Sequence, residues 1–175
     1  MKIMIIGYSG SGKSTLAQVI GEHYNIPVLH LDRVNFKENW VERETSEALL
    51  IVNNFIELNQ WVIDGNYRRF NQEKRLEDAN LIIFMTFNRF SCLWRVFKRY
   101  LNYKNKSRDS AADGCIEKLD FEFVMWILKN GRTKSVIQHY KSVTRTYQDK
   151  VLIVRNQNDL NRLIQRIEIG EILSL

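Results

Sequence analysis

The sequence predicts an α/β protein in which a parallel sheet is covered by helices on both faces. Three observations carry that expectation. Short apolar, β-branched-rich runs alternate along the chain with longer segments of helical periodicity, the pattern of repeated βαβ units. The runs are continuous rather than alternating, as in strands buried on both sides. The chain has 175 residues, one proline (Pro27) and no repeat or low-complexity tract, so residues 1–175 are expected to form a single domain.

Taken in order, Lys2–Ile6 is an apolar run closed by Gly7, a buried parallel strand. Lys13–Tyr24 follows with Leu16, Val19, Ile20 and Tyr24 at helical spacing. Residues 27–31 (Pro27-Val28-Leu29-His30-Leu31) read as a short second strand ending at Asp32. A helix over Thr45–Leu58 gathers Leu49, Val52, Phe55 and Ile56 on one face, and Trp61-Val62-Ile63 is a third strand, closed by the turn signal Asp64-Gly65-Asn66. Asn80–Phe87 is the longest strand candidate. The helix after it, Arg89–Tyr103, carries Phe90, Leu93, Trp94, Phe97 and Leu101 as an apolar stripe, expected with Phe87 to face the core. Residues 107–114 are polar and read as a loop. Helices are expected near Glu117–Lys129 and Thr133–Gln148, a fifth strand at Val151–Val154, and a closing helix with Leu160, Leu163, Ile164 and Ile167 inward.

Composition excludes several classes. The hydrophobic share of 45% and charged share of 26% are those of an ordinary globular protein. The apolar start, residues 1–6, is too short for a signal-peptide core, and no later run approaches the roughly 18 residues of a membrane span. A cytoplasmic location and no membrane partner are expected. Cys92 and Cys115 lack metal-ligand spacing and are too few for a disulfide framework. His23, His30 and His139 are scattered and read as surface or satisfied core residues.

The net charge of +6 is local. Between Thr86 and Arg108 stand Arg89, Arg95, Lys98, Arg99, Lys104, Lys106 and Arg108 with no Asp or Glu, so the rest of the chain carries a net −1. One concentrated cationic element on a near-neutral body points to a compact, highly negative ligand: polyphosphate, or DNA as the rival partner.

Gly7-Tyr8-Ser9-Gly10-Ser11-Gly12-Lys13-Ser14 matches the phosphate-binding pattern G-x-x-x-x-G-K-S/T, between a strand and a helix. Gly7, Gly10 and Gly12 allow positive φ, so successive N–H groups turn inward and, with the helix N-terminus, form an anion nest. Lys13 supplies a full charge for the β- and γ-phosphates, and the Ser14 hydroxyl is a hard oxygen suited to Mg²⁺. The expected ATP-binding set is Gly7, Ser9, Gly10, Ser11, Gly12, Lys13, Ser14 and Thr15. Asp64, at the tip of an apolar strand, suits the Mg²⁺ shell or, more simply, a turn before Gly65. Asp32 is placed to accept a proton from an attacking hydroxyl, to hold the metal, or to cap a helix. Arg95 and Arg99 share a helix face and are candidates for stabilising charge on a transferred phosphoryl group, against the simpler reading of a solvated basic face.

These residues carry a family resemblance. The loop Gly7–Ser14, Leu31-Asp32, the run from Trp61 to Arg68, and Asn88-Arg89-Phe90 with Leu93, Arg95 and Arg99 resemble the bacterial DNA topology modulation (FlaR-type) proteins over nearly the whole chain, including Asp113-Gly114-Cys115. Those proteins in turn resemble adenylate kinases. The resemblance implies a three-layer α/β/α P-loop NTPase fold with a five-stranded parallel sheet of nucleotide-kinase type, a helical lid over approximately residues 104–132, and ATP with Mg²⁺ as cofactors. Asp64-Gly65 with Arg68 is similar to the Asp-Gly-x-Pro-Arg stretch of adenylate kinases, which implies that Arg68 contacts the acceptor, although Asn66-Tyr67 depart from the pattern. Arg95 and Arg99 resemble the arginines at the start of the lid, with Arg132 a second lid arginine, and Arg155-Asn156 lead into a loop that packs on adenine. No Asn-Lys-x-Asp guanine signature is present, which favours ATP over GTP. The expected function is ATP-dependent phosphoryl transfer to a nucleotide or other small acceptor, with Lys13, Asp32, Arg68, Arg95 and Arg99 as catalytic residues. The alternative is a nucleic-acid-associated ATPase or switch.

Overall fold

The computed structural model describes residues 1–103, 112, 114–116 and 119–172. Strands β1 (Lys2–Gly7), β2 (Val28–His30), β3 (Trp61–Asp64), β4 (Leu81–Met85) and β5 (Val151–Val154) form one parallel sheet in the order β2-β3-β1-β4-β5. All five expected strands are present, and β1 lies at the centre with both neighbours hydrogen-bonded to it.

The period-2 alternation of β1 explains the layers. Ile3 and Ile5 point to one face, where they meet Leu16 and Ile20 of α1 (Lys13–Tyr24) and, later in the chain, the inner faces of α5 (Arg89–Asn102) and α8 (Gln157–Glu168). Met4 and Ile6 point to the other face, against Val34 of α2 (Leu31–Asn35), Ala48 and Val52 of α3 (Thr45–Ile56), Leu76 of α4 (Gln72–Asp78) and Tyr140 of α7 (Lys134–Thr146). Strands buried on both faces must be apolar, as residues 3–6 of β1 and all of β4 are. Two apolar layers on one sheet give the three-layer α/β/α arrangement.

Several expectations are corrected. Asp32 does not end the second strand. Pairing of β2 with β3 stops at His30, opposite Asp64, and the chain turns at once into the short helix α2, with Asp32 in its first turn. Helix α4 was not foreseen, because its only buried apolar residue is Leu76 and its most buried polar one is Arg75. Helix α6 spans Phe121–Leu128, and Asp120 caps it by accepting from the Phe123 N–H at 2.8 Å; the expected start at Glu117 lies outside the described residues.

The largest correction concerns α5. Phe90 is 72% exposed, Trp94 57% and Leu101 57%, and Phe97 also faces outward. Phe87, before the helix, is in the core as expected, and Leu93 packs half-buried against it, but the buried face of α5 is Cys92 and Val96. The reason is steric. This face packs on the glycine loop so closely that a Cβ on Gly10 would lie 2.7 Å from both the Cys92 carbonyl oxygen and Val96 Cγ2. Small side chains fit there, and the rings are left outside.

Among the described residues no helix is long and apolar enough to cross a membrane. Lys104, Lys106 and Arg108, and most of the expected loop and lid over residues 104–118, lie outside the described residues.

Candidate nucleotide and acceptor site

The carboxyl ends of the strands bring the chemistry together, as open parallel sheets do. Register aligns Ile5 with Asp64, His30 with Asp64, and Gly7 with Met85. The tips of β1, β2, β3 and β4 therefore form one edge, with the glycine loop rising from its centre.

The loop has the backbone its sequence requires. Gly7, Gly10 and Gly12 all take positive φ, at 144°, 76° and 97°. At Gly7 the close approach is decisive, since a Cβ would lie 2.3 Å from the Met85 carbonyl oxygen. The Ser11 N–H donates to the Tyr8 carbonyl at 3.2 Å, and Leu16 N–H to Gly12 at 3.1 Å, which joins loop to helix without a break. Lys13 begins α1, and its Nζ donates to the Tyr8 carbonyl at 3.1 Å. The amino group thus lies over the loop. Ser9 accepts from the Trp126 indole N–H at 3.2 Å, Ser11 is fully buried, and Thr15 is exposed on α1.

Asp64 is nearly buried at the end of β3. Burial alone would raise its pKa, but hydrogen bonds from His30 and Ser14 and the charge of Lys13 outweigh it and hold the carboxyl below its ordinary value. The His30 Nδ1 stands 3.0 Å from Asp64 Oδ2. An ionised carboxylate beside a serine hydroxyl is a hard oxygen pair, the donor set Mg²⁺ prefers. Among the described residues no cluster of three or more His, Cys, Asp or Glu could hold a metal by itself. A P-loop Mg²⁺ needs no such cluster, because phosphate oxygens and water complete its shell.

On one flank, Arg95 reaches the loop. Its Nη1 donates to the Ser11 carbonyl at 3.0 Å and its Nη2 to Gln157 Oε1 at 2.5 Å, while the guanidinium lies 4.1 Å from the centroid of Phe87. With Phe87, Trp94, Arg155 and Asn156 it lines a cavity of about 210 Å³. Arg99, one turn on, stands 6.0 Å from the ring of Phe123 in α6, away from the Ser11 contact. Arg132 donates to the Phe87 carbonyl at 2.8 Å and lies 3.7 Å from the Tyr8 ring, a strut beneath the loop.

On the other flank lies a second cavity, of about 170 Å³, between the loop (Tyr8, Ser9), the segment after β3 (Asn66, Arg68), and α7 (Ser135, His139). Arg68 is exposed on its wall. Asp32 does not line this cavity; its Oδ1 accepts from the Tyr67 hydroxyl at 2.9 Å. Burial, together with the charge and hydrogen bond of Asp32, pushes the Tyr67 phenol far up, so it remains the donor.

No protein-family model matches the sequence, that of the DNA topology modulation proteins included, and no curated protein matches it significantly. Solved structures do. An uncharacterized protein from Eubacterium ventriosum aligns over 100% of both chains at TM-score 0.55 and 20% identity. Deoxyadenosine kinase from M. mycoides aligns over 100% of both at TM-score 0.52 and 14% identity. A gluconokinase from Sinorhizobium meliloti aligns over 99% of this chain and 91% of its own at TM-score 0.51 and 16% identity. The fold is that of a P-loop kinase.

Three residues of this P-loop site escaped the sequence reading. Asn66 grips the start of the loop with both ends of its amide: Oδ1 accepts from the Gly7 N–H at 3.0 Å and Nδ2 donates to the Gly7 carbonyl at 2.7 Å. His30 and His139, expected to be ordinary surface or core histidines, stand on Asp64 and on the second cavity. The departure of Asn66-Tyr67 from the adenylate-kinase pattern was the one available signal. Arg75 supports this segment from below. Fully buried, it donates to the carbonyls of Phe70 at 2.8 Å and Tyr67 at 2.6 Å, and burial pushes its guanidinium down to about 9, still cationic at neutral pH.

Proposed function

We propose that this protein is an ATP-dependent kinase that transfers the γ-phosphate to a small acceptor, a nucleoside, nucleotide or other hydroxyl compound. The observation that carries this reading is the phosphate loop flanked by two cavities. One, lined by Phe87, Trp94, Arg95 and Asn156, suits a nucleobase and ribose; the other, lined by Arg68, Ser135 and His139, suits a second substrate. A simple ATPase needs only water opposite the γ-phosphate.

In this reading Gly7, its N–H held by Asn66, and Ser11, its N–H held by Tyr8, shape the loop. The N–H groups of Ser9, Gly10 and Gly12 to Thr15 and the Lys13 amino group hold the β- and γ-phosphates, and Ser14 and Asp64 would hold Mg²⁺, which would neutralise phosphate charge. Arg95, anchored on the Ser11 carbonyl, keeps its positive charge beside the loop. Arg99 adds a second charge from the same helix, and the segment over residues 104–132 acts as a lid that excludes water. Asp32, oriented by Tyr67 outside the lining of the second cavity, is the base of this reading. This role requires the acceptor hydroxyl to extend beyond that lining and give Asp32 its proton as its oxygen bonds to phosphorus and the bond to ADP breaks. Arg68 clamps the acceptor.

Product analysis by mass spectrometry tests this. The protein is incubated with Mg-ATP and pooled nucleosides, nucleotides, sugars and sugar acids, with Lys13→Ala as control. A phosphorylated acceptor absent from the control is expected. ADP release without one sinks the kinase reading.

A second reading has its own observation. The exposed rings of Phe90, Trp94 and Phe97 stand beside Arg89 and Lys98, with Lys98 Nζ 5.3 Å from the Trp94 ring centroid, a surface on which single-stranded DNA could stack. A nucleic-acid-associated ATPase requires binding that weakens by orders of magnitude as salt rises. Absence of DNA affinity at low salt removes it.

A further inference from the structure

The second cavity contains a chain of hydrogen bonds that fixes what its wall offers a ligand. The Asn66 carbonyl is an acceptor only, so the group facing it at 2.7 Å is the Gln72 amide nitrogen. The Gln72 oxygen therefore faces His139 Nε2, 2.8 Å away, and this nitrogen must carry the proton. Burial first, and the positive charge of Arg68 second, lower the pKa of His139, which favours the neutral ring at physiological pH. A neutral imidazole protonated on Nε2 has one function left, the lone pair on Nδ1, a hydrogen-bond acceptor.

Arg68 supplies the complement. It lines the same cavity, and it pairs with no carboxylate among the described residues; the wall itself contains none. A guanidinium on a partly enclosed wall without a counter-ion favours an anionic ligand.

We infer that this cavity takes a hydroxylated organic anion, its anionic group on Arg68 and a hydroxyl donating to Nδ1 of His139, which is thereby a specificity residue. The inference rests on the kinase reading for the identity of the ligand as acceptor, and it narrows the acceptor to phosphate esters or sugar acids over neutral nucleosides and sugars. Either source of the anion meets the same two groups.

Calorimetric titration tests it without relying on turnover. Binding of Mg-AMP-PNP is measured first, so failure of the nucleotide site is seen separately. With that site saturated, the protein is titrated with AMP against adenosine and with gluconate against glucose. At least one anion is expected to bind about tenfold or more tightly than its neutral counterpart, and the pair that discriminates names the source. Arg68→Ala should abolish the preference. His139→Gln keeps an amide nitrogen for Gln72 but lacks Nδ1, so it should melt like the wild type yet lose about tenfold in affinity. His139→Asn, which keeps an acceptor near Nδ1, should lose less affinity although it releases Gln72. Equal binding of neutral and anionic probes, no binding of either anion beside bound AMP-PNP, or full affinity in His139→Gln would overturn the inference.

Discussion

Replacing Asn66 by alanine should loosen the start of the phosphate loop while leaving every loop residue in place. Its side chain makes two hydrogen bonds to the backbone of Gly7, at 3.0 Å and 2.7 Å, and Gly7 is buried. The Gly7 carbonyl keeps a second partner, the Tyr140 hydroxyl at 3.3 Å, but the N–H is left with none in the folded state. The lost bond to the carbonyl contributes about 1 kcal/mol, and the unpaired buried N–H costs about 1–3 kcal/mol because its desolvation is not repaid, so the expected loss is about 2–4 kcal/mol. For a chain of this length that is a fall of roughly 4–16 °C in Tm. Asn66→Asp is a sharper probe. It retains an acceptor for the N–H but turns a carboxylate oxygen toward the Gly7 carbonyl, so it should destabilise at least as much as alanine despite being isosteric. Thermal and urea unfolding measure both variants, and ATP titration should show a loss of about tenfold in affinity. A change below about 0.5 kcal/mol in Asn66→Ala, or an Asn66→Asp variant as stable as the wild type, would refute the argument that this amide holds the loop.

Other perturbations probe the remaining parts. Gly7→Ala forces a Cβ onto the Met85 carbonyl at φ 144°, and should cost more than about 3 kcal/mol, read as lost soluble expression or a large fall in Tm. Arg95→Ala removes the contacts to Ser11, Gln157 and Phe87 and should lower kcat/KM by about 10- to 100-fold; Arg95→Lys, which lacks the fork, should not restore it. His139 is depressed in the folded state, so the unfolded chain takes up its proton first. The stability it confers is complete above the unfolded value of 6.5 and is lost as pH falls through the lower folded value, with Arg68 as the facing charge. Urea denaturation from pH 8 to 5 should therefore show a decline in the wild type that His139→Gln lacks, and equal slopes would refute the assignment.

What the sequence made legible was local. The phosphate loop, its flanking strand and helix, and all five strands follow from residues within about ten positions of one another, where hydrophobic period and glycine placement suffice. Asp32 was misplaced because Leu31 is as apolar as a strand residue; only the end of pairing at His30 converts the next residues to helix. The face of α5 was misread because periodicity ranks residues by hydrophobicity, whereas the glycine loop selects by size and admits Cys92 and Val96. Asn66, Gln72 and His139 were invisible for another reason. Their partners lie 59 residues away for Asn66 and Gly7, and 67 for His139 and Gln72, so no spacing rule connects them. Polar side chains that bind backbone or one another across the fold leave no periodic trace.

The indole of Trp126 donates to the Ser9 hydroxyl while half of its surface stays open, and Trp61 lies fully enclosed in the opposite layer. These two of the four tryptophans therefore differ in what they can report. Emission from Trp61 follows the integrity of the sheet and is blind to the loop. Emission from Trp126 follows the Ser9 hydroxyl, and a phosphate oxygen that recruits this hydroxyl alters the polarity around the indole at once. With Trp40 and Trp94 replaced by phenylalanine, the molecule would carry its own optical gauge of nucleotide arrival, with an internal reference for unfolding, and Trp126→Phe on that background isolates one signal from the other without a dye.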